Sequence, residues 1–516
     1  MKAGDDGALD HNDELLPVLS KSATKMKYEK LLNHPLPSFE GDNPGSPFWT
    51  AIGYFSLHKI LKNQFRSIEK SGLDYIPQSV GSLCAAWHTN GLIDPISIMI
   101  THPKKFVIGG RHDLLTRPLF GFWARKFAVQ PVIRKAELLR GGCSEEQATS
   151  LNGRSLLNLS TGIAHGFGCV LFPEGTSHSE SKLIRLRTGP MRTVLSSAAL
   201  SRHRGQKDPV IIPIGLHYRT RHLFRTDIWV EYSEPIDLSK IELPSKLVDD
   251  IGNAKWAEPP VDEVVTLRDE VQRRLSPLTP EEDSWGEYRA THLLAHLSAR
   301  IKGQKLNTWR EEVLAARKIR DSDGEDEIKQ QALVVAESLN NSKLDGRDIN
   351  SKGDGLRKSS LFSGIKGIFA LSLFVSLLPL FIISNLPQVL LGKVLGDRTD
   401  EGLDARTSYH FLAALFGSVI IWPIAVATLL LIFFFVDIPG IDLSPITDSS
   451  IGIKVIFSLV FIVLSPIPFW FIGRTFSWAW DAYTDFKNHC NRMGKRGLST
   501  QISQLRDSMI ASGRYL

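Results

Sequence analysis

Three long apolar stretches in the C-terminal third of the chain restrict its fold more than any other feature. They cover residues 365–391, 411–436 and 451–472. A helix needs about 20 apolar residues to cross the hydrocarbon core of a bilayer, and helices of soluble proteins rarely run that far without charge. We therefore expect membrane segments within residues 361–475.

Charged residues around these stretches predict the topology. Residues 437–450 contain three Asp and no Lys or Arg, whereas the segments before residue 365 and after residue 472 are basic. Because basic flanks tend to remain in the cytosol, both ends of the region are expected there, which requires an even number of crossings. The simplest arrangement crosses at 411–436 and 451–472, and makes the first stretch, which Pro379 and Pro387 interrupt, a re-entrant segment.

The N-terminal part of the chain has two segments of different character. Residues 1–45 are polar, lack the apolar core of a cleavable signal peptide and end in the cluster GDNPGSP, which predicts a disordered tail. Residues 46–72 mix aromatic and aliphatic side chains with Lys59, Lys62 and Arg66. This pattern predicts an amphipathic helix in a membrane interface, and a helix packed on the adjacent domain fits it equally well.

Residues 73–245 alternate short β-type runs with helix-type segments. The runs are SLCAAW, KFVIGG, VQPVIR, FGCVLF, VIIPIGL and DIWVEY, and segments such as PLFGFWARKF and GPMRTVLSSAALSRH separate them. This alternation predicts an α/β domain with a mostly parallel sheet, whose functional loops lie at the carboxyl ends of the strands. A charged helical extension is predicted over residues 246–338. Residues 339–360 are poor in large apolar side chains and are predicted to be a linker, and residues 476–516 are predicted to be a cytosolic tail.

Composition favours some partners over others. A formal charge of +6 and a pI near 9.0 favour anionic partners such as phosphate substrates, coenzymes or acidic lipid headgroups. Nucleic acid is disfavoured, since the chain has no zinc-ligand spacing, RNA-binding aromatic signature or long basic arm. The four cysteines form no CxxC pair, which argues against a disulfide framework or a structural metal site and favours reduced thiols.

The stretch AAWHTNGLIDPI carries the first candidate site residues. His88 follows a predicted strand, and Asp94 comes six positions later. A neutral imidazole can take a proton from an alcohol that attacks a thioester, and a carboxylate beside it fixes the tautomer. About one His-x5-Asp pair is expected by chance in a chain of this length, so a turn histidine bonded to a capping Asp remains an alternative.

Three further segments are consistent with binding of a phosphorylated substrate. FPEGTSH, residues 172–178, predicts a turn with exposed backbone N–H groups, and Arg185 and Arg187 follow it. A strand-to-helix turn with a capping Thr fits the same segment. Arg134, directly after VQPVI, has the chemistry to hold a phosphate, although a surface arginine at a strand end has the same sequence context. Pro213 in VIIPIGL is expected to end a strand pairing at the edge of the site.

Taken in order, these segments resemble the four motif blocks of the glycerolipid acyltransferase superfamily. The resemblance covers residues 76–236 and is strongest to the fungal-type glycerol-3-phosphate/dihydroxyacetone-phosphate acyltransferases. It rests on the His-x5-Asp-Pro spacing, the Ser-His after the Pro-Glu-Gly turn, the stretch LIRLRTGPMR and the block GLHYRTRHLFRTDIWVEYSEPI. Apolar segments near the C-terminus also fit this group.

The resemblance implies a role for each motif residue. His88 would be the general base and Asp94 its orienting partner. Arg134 of the second block would bind the acceptor phosphate, together with the third block, Glu174, Gly175 and Thr176. Pro213 of the fourth block would help to place the acyl donor.

This chain departs from the superfamily pattern at two points. Five residues separate His88 from Asp94 where four are usual, so a bulge or turn must absorb the extra one. Ser177 and His178 occupy the region of the third-block arginine found in many relatives, and Arg185 or Arg187 is the predicted replacement.

The implied reaction is transfer of a fatty acyl group from acyl-CoA to the sn-1 hydroxyl of glycerol 3-phosphate or dihydroxyacetone phosphate. The chain has no G-x-S-x-G elbow for a covalent nucleophile, and we expect neither a metal ion nor a cofactor. The resemblance also implies an integral protein of the endoplasmic reticulum membrane with a cytosolic catalytic domain. A lysophosphatidate acyltransferase, or a catalytically silent lipid-binding or scaffold homologue, remains an alternative.

Overall fold

The computed structural model of the chain describes residues 26–133, 143–322, 326–358, 361–398, 402–436 and 444–515. Arg134 and most of the predicted N-terminal tail lie outside these ranges. Within them, helices surround one mixed sheet, and several long apolar helices follow toward the C-terminus.

The main sheet is mostly parallel. Its strands, with those of a separate small sheet, are β1 (Phe65–Ser71), β2 (Ser82–Ala86), β3 (Phe106–Val107), β4 (Gly109–Arg111), β5 (Gln130–Val132), β6 (Gly168–Val170), β7 (Val210–Tyr218), β8 (Thr226–Tyr232) and β9 (Ile236–Asp237). The order is β1-β8-β7-β2-β6-β3, with β9 also paired to β7, while β4 and β5 form the small sheet. β7, β2, β6 and β3 run parallel to one another, and only the β7–β8 and β7–β9 pairings are antiparallel. The predicted α/β class with a mostly parallel sheet is confirmed.

Strand β1 replaces the end of the predicted interfacial helix. The helix ends at Gln64 instead of residue 72, and Phe65–Ser71 pairs in parallel with β8. Phe65 and Ile68 are three positions apart, which fits a helix as well as a strand, and the remaining side chains of this edge strand are polar. The prediction of a helix over residues 65–72 is therefore wrong.

Among the residues that the structure describes, seven helices accompany these strands up to β7. They are α1 (Tyr28–Leu32), α2 (Pro47–Gln64), α3 (Ile93–Thr101), α4 (His112–Leu115), α5 (Pro118–Lys126), α6 (Glu145–Ala164) and α7 (Gly189–His203). α5 and α7 match the predicted crossover helices. Leu57 and Leu61 of α2 belong to the core of the domain, while Phe48 and Phe55 on the same helix remain exposed. This helix thus packs on the domain through one face and leaves aromatic side chains outside it.

The described part of the predicted disordered tail is ordered against the domain. Leu31 of α1 is 1% exposed and packs among apolar side chains of α5 and α6. The guanidinium of Arg154 on α6 donates to the carbonyl groups of Leu32 and His34. The prediction of disorder is wrong for residues 26–45, because a few apolar side chains and one arginine are enough to hold this segment.

Five helices make up the predicted extension. They are α8 (Ser245–Gly252), α9 (Val261–Leu275), α10 (Trp285–Ile301), α11 (Trp309–Arg320) and α12 (Asp326–Asn341). Val264, Leu267 and Val271 of α9 are buried with Ile211 of the sheet, so α9 belongs to the sheet domain. Helices α10 to α12 form a second core of their own.

The predicted linker is also ordered. Leu344 and Ile349 are 5% and 1% exposed and join the core of α10 to α12. Asp348 accepts a hydrogen bond from Arg492 at 2.5 Å. A linker prediction based on low apolar content is wrong here, since two buried side chains and one buried ion pair fix the segment.

The C-terminal helices include two that are long and apolar enough to cross a membrane. The series is α13 (Leu361–Ser376), α14 (Leu378–Ser384), α15 (Leu386–Asp397), α16 (Leu403–Phe435), α17 (Ser444–Thr447), α18 (Ile451–Leu464), α19 (Pro466–Arg492) and α20 (Arg496–Ser512). Within the described ranges the two candidate spans are Leu403–Phe435 and Ile451–Arg492. Residues 367–376 and 378–384 meet at a bend of 66°, which is the geometry of a broken span or of a re-entrant loop.

Both ends of this apolar pair contact the soluble part of the molecule. Phe411 near the start of α16 is 1% exposed within the core of the sheet domain. At the other end, Asp481 of α19 pairs with Arg225, and Asp485 pairs with Arg66 of β1. Helix α20 then packs into the core of α10 to α12. Two ends that contact one soluble body lie on the same side of any membrane that the pair crosses.

Candidate active site

The sheet brings three motif segments to one edge. β2, β6 and β7 are adjacent and parallel, so their carboxyl ends meet. His88 follows β2 by two residues, Glu174 follows β6 by four, and Tyr218 is the last residue of β7. The side chains that the sequence motifs single out are therefore assembled by strand order.

His88 and Asp94 form a hydrogen-bonded pair. The distance from His88 Nδ1 to Asp94 Oδ2 is 2.9 Å, and the carboxyl side chain is fully buried. A carboxylate at this nitrogen favours a proton on Nδ1, which leaves the lone pair of Nε2 free to accept a proton. The ring stacks on Phe172 at 3.9 Å between centroids and stays 17% exposed. This is the geometry of a general base.

Three other donors hold the carboxylate of Asp94. The backbone N–H groups of Thr89 and Asn90 donate to Oδ2 at 2.8 Å each, and the hydroxyl of Tyr218 donates to Oδ1 at 2.7 Å. Burial and the charge of Asp94 raise the pKa of Tyr218 well above its usual value, so the hydroxyl remains a donor. With His88, these donors fix the position of the Asp94 carboxylate on both of its oxygens.

A tight turn absorbs the extra residue between His88 and Asp94. Asp94 lies in the first turn of α3, which begins at Ile93. Gly91 in the preceding turn has a φ of +42°, a conformation that glycine adopts with the least strain. The five-residue spacing is thus compatible with direct contact between the two side chains.

The carboxylate of Glu174 is directed into the protein. Its side chain is fully buried, with Oε2 accepting from the backbone N–H of His88 at 2.6 Å. Oε1 lies 2.7 Å from His178 Nε2 and accepts from the N–H of Ile184 at 3.1 Å. Glu174 therefore connects the third-block turn to the backbone of His88.

The rest of the third block lies at the surface. Gly175 is exposed with a φ of +73°, and Thr176 is half-buried. The N–H of Arg187 donates to the carbonyl of Pro173 at 2.6 Å, and a Cβ at position 175 would lie 3.4 Å from Cγ of Arg187. Arg185, two residues earlier, is exposed as well. The structure brings Arg187 to the turn, while Arg134 lies outside the described residues.

Pro213 does not lie at the edge of the site. It is buried near the middle of β7, opposite Ala85 of β2, and its carbonyl accepts from the N–H of Ser233 at 3.0 Å. The expectation that Pro213 ends a strand pairing beside the site is wrong, because β7 continues five residues further to Tyr218.

Sequence reasoning missed Tyr218 and Arg221. The guanidinium of Arg221 donates to the carbonyl of Thr89 at 3.3 Å and to that of His178 at 3.1 Å. Both missed residues belong to the fourth block, in which only Pro213 was predicted to be a site residue. Tyr218 ends a strand parallel to β2, so the carboxyl-end rule applied to β7 would have found it.

The described residues contain no group of three His, Cys, Asp or Glu side chains placed to hold a metal ion. Cys84, Cys169 and Cys490 are free thiols. Burial raises the pKa of the Cys84 thiol to about 12, which leaves it protonated and a poor nucleophile at neutral pH.

Comparisons with known proteins show what the sheet domain is similar to. Residues 67–217 match the model of the protein family described as Acyltransferase. The chain therefore carries an acyltransferase domain, and the His88 turn, the third block and nearly all of β7 lie inside the matched range.

Two similar proteins come from Saccharomyces cerevisiae. Glycerol-3-phosphate O-acyltransferase 2 is 32% identical over 105 residues, which are 19% of this chain and 13% of that protein. Glycerol-3-phosphate O-acyltransferase 1 is 30% identical over 119 residues, 23% of this chain and 14% of that protein. The match thus spans about one-seventh of the length of either yeast protein. The matched segment of this chain is thus similar to part of two glycerol-3-phosphate O-acyltransferases.

A solved structure shows a looser likeness. The 1-acyl-sn-glycerophosphate (LPA) acyltransferase PlsC from Thermotoga maritima aligns with a TM-score of 0.29 and 15% identity, over 43% of this chain and 79% of that chain.

Proposed function

We propose that this protein transfers a fatty acyl group from acyl-CoA to the sn-1 hydroxyl of glycerol 3-phosphate and so forms lysophosphatidate. Dihydroxyacetone phosphate is proposed as a second acceptor. The observation that carries the proposal is the pair of His88 and Asp94, with 2.9 Å between its nitrogen and oxygen, at an edge where the ring remains accessible. The names of the two yeast relatives support the choice of acceptor.

The proposed reaction is direct transfer in a ternary complex. Nε2 of His88 takes the proton of the sn-1 hydroxyl as its oxygen attacks the thioester carbonyl, and Asp94 stabilises the imidazolium. A new C–O bond forms, the C–S bond breaks, and the imidazolium returns its proton to the departing thiolate of CoA. Backbone N–H groups stabilise the tetrahedral oxyanion. The protein supplies the base, so acyl-CoA is a co-substrate and no metal ion or other cofactor takes part in these steps.

The third block is proposed to bind the acceptor phosphate. Gly175 and Thr176 present an exposed turn, and Arg187 beside it and Arg185 supply positive charge. Arg134 of the second block is proposed to join them. Glu174 contributes by holding this turn to His88 rather than by touching the phosphate, since its oxygens are occupied by protein donors and a second anion would be repelled.

The apolar helices are proposed to keep the catalytic domain at a membrane. Long acyl chains are poorly soluble, so a site beside the bilayer meets both its donor and its product there. We propose that the catalytic domain faces the cytosol, because the flanks of the apolar region are basic. In a eukaryotic cell, the proposed location is the membrane of the endoplasmic reticulum.

A turnover assay tests the proposal. The full chain in lipid nanodiscs would receive radiolabelled glycerol 3-phosphate and palmitoyl-CoA, with dihydroxyacetone phosphate and lysophosphatidate as competing acceptors. We expect labelled lysophosphatidate from wild type and from His203→Ala, whose exposed imidazole ends α7, and none above background from His88→Ala. Preferred acylation of lysophosphatidate would instead identify the protein as a lysophosphatidate acyltransferase. Equal product from wild type and His88→Ala, or none from wild type, would overturn the proposal.

A further inference from the structure

Three polar side chains in the first two turns of the apolar helix α16 are buried. Asp404 is 1% exposed, Thr407 0% and Ser408 8%. Polar groups buried to this extent are stable only where they have hydrogen-bond partners. All three side chains have such a partner in a loop of the acyltransferase domain.

Two of these contacts reach the loops that carry site residues. The backbone N–H of Leu92, within the turn between His88 and Asp94, donates to Ser408 Oγ at 2.9 Å. The hydroxyl of Ser177, in the third block, donates to Asp404 Oδ2 at 2.5 Å. One end of a membrane-length helix thus bonds to both loops of the candidate site.

The third contact runs through Arg221. Its carbonyl accepts from the hydroxyl of Thr407 at 2.7 Å and from the side-chain amide of Asn90 at 3.2 Å. Its guanidinium donates to the carbonyl groups of Thr89 and His178. Arg221 therefore contacts the end of α16, the His88 turn and the third block.

Gly91 marks the closest approach of turn and helix. A Cβ at this position would lie 2.7 Å from Ser408 Oγ and 3.1 Å from the carbonyl oxygen of Asp404. Real Cβ atoms do not approach other atoms to 2.7 Å, and the φ of +42° adds strain for any other residue. Helix α16 therefore contacts the same turn that accommodates the extra residue between His88 and Asp94.

We propose that Ser408, Asp404 and Thr407 are positioning residues, through which the end of α16 holds the His88 turn in the geometry that catalysis needs. The N–H groups of Thr89 and Asn90 bind Asp94, so a displaced turn would move the base and its carboxylate apart. This inference rests on the proposed function, and it adds the membrane helix to the parts that set the activity.

A matched pair of serines on one helix tests the role. Ser408→Ala removes the acceptor of the Leu92 N–H, whereas Ser418→Ala, ten positions along α16, removes a hydroxyl that bonds only within the helix, to the carbonyl of Leu415. In the nanodisc assay we expect Ser408→Ala to lower kcat about tenfold with KM for both substrates within about twofold, as loss of one oriented hydrogen bond would do. Ser418→Ala should keep the wild-type kcat.

A methyl group inserted between the His88 turn and α16 is expected to lower kcat more than Ser408→Ala does. Gly91→Ala is expected to lower kcat about 100-fold or more, since misplacement of a catalytic group by about 1 Å has that consequence. Because the added methyl group meets Ser408 Oγ, the double variant Gly91→Ala, Ser408→Ala should be no worse than Gly91→Ala alone. Additive losses would contradict direct contact.

The outcomes separate this inference from the proposed function. Wild-type kcat in Ser408→Ala and in Gly91→Ala, with activity still lost in His88→Ala, would overturn the positioning role and leave the proposed function standing. If wild type itself transfers no acyl group, the proposed function and this inference fail together. A lower melting temperature of Ser408→Ala with an unchanged kcat would show a merely structural contact. If Gly91→Ala does not fold, Ser408→Ala against Ser418→Ala decides.

Discussion

Two regions of the molecule pair histidine with a buried carboxylate, and they differ in access to the imidazole. At the candidate site the side chains of His88 and Asp94 are 17% and 0% exposed. Between the sheet and the helical extension, Glu312 lies 3.1 Å from His292 Nδ1 and 3.2 Å from His296 Nε2, and these side chains are 10% exposed or less. We call this second group the Glu312 cluster.

Charge is balanced differently in the Glu312 cluster. Burial opposes the ionisation of Glu312, but Arg219, with Nη1 at 2.6 Å, and the two histidines outweigh it and hold the pKa of the carboxyl well below its usual value. Burial lowers the pKa of His292, so this ring is neutral at pH 7. The cluster is thus a closed network with a charged carboxylate and little room for a substrate.

The comparison shows that a histidine beside a carboxylate is weak evidence for catalysis by itself. The position of the histidine in the fold distinguishes the two regions. His88 follows a strand whose carboxyl end meets those of two parallel neighbours, whereas the Glu312 cluster joins two packed elements. Four tests, from the largest expected effect to the smallest, challenge this distinction.

Replacing each carboxylate by its amide should separate the regions most strongly. Asp94→Asn disturbs the tautomer and charge at His88, and we expect kcat/KM to fall on the order of 10³- to 10⁴-fold in a folded protein. Glu312→Gln should leave kcat/KM within about threefold when it is measured below the melting temperature. Similar losses in both variants would erase the proposed difference.

Truncation of Glu312 should affect stability instead. Glu312→Ala removes the carboxylate that Arg219, His292 and His296 share, and leaves Arg219 paired with Asp227 alone, at 2.8 Å. Removal of one partner from a buried ion pair typically costs about 3–5 kcal/mol, and the remaining Asp227 pair places the expected loss at the lower end. The control is Glu327→Ala, an exposed carboxylate on α12. Thermal melting of both variants in nanodiscs should show a large decrease only for Glu312→Ala. An unchanged melting temperature would mean that the cluster contributes little to the fold.

Loss of one donor to Asp94 should have an intermediate effect on activity. Tyr218→Phe removes the hydroxyl that lies 2.7 Å from Oδ1 but keeps the ring. A hydrogen bond to a charged group is worth about 1.5–3 kcal/mol, so a decrease in kcat of about 10- to 100-fold is expected. Tyr75→Phe, at an exposed tyrosine, is the matched control. Wild-type kcat in Tyr218→Phe would show that the other donors suffice.

Acid should weaken the Glu312 cluster. The pKa of His292 is lower in the folded state than its usual value of 6.5, so protons bind the unfolded chain more readily and stability is lost as pH falls below about 6.5. Below about pH 4.5 the carboxylates add to this loss, since His217 and Arg317 lower the pKa of Glu231 to about 2 despite its burial. Melting temperatures from pH 7.5 to 5 should decrease, and less so in His292→Gln.

The strands and one pair of site residues could be predicted from sequence. The apolar runs that became β2, β6 and β7 were visible, and the rule for carboxyl ends then brought His88 and Glu174 together. Side-chain direction was harder to predict, because nothing in FPEGTSH shows that the Glu174 carboxylate turns inward. The outcome for Pro213 has the same cause: a short apolar run does not reveal how far its strand continues.

Other features depend on contacts that no local pattern contains. Leu92 and Ser408 are 316 positions apart, and only the packing of α16 on the domain brings them together. The segment 339–358 is ordered by a few buried side chains, which a composition average does not register. Edge strand β1 has too few apolar residues for its periodicity to exclude a helix.

The unbroken course of α16 sets a distance. A helix keeps a rise of about 1.5 Å per residue, so the eleven residues from Ser408 to Val419, the first strongly exposed apolar side chain after Ser408, span roughly 16 Å. This spacer cannot stretch, and one end of it is fastened to the turn beside His88. Under the proposed function, this fixed length holds the imidazole of His88 at a constant distance from the hydrocarbon core of the bilayer.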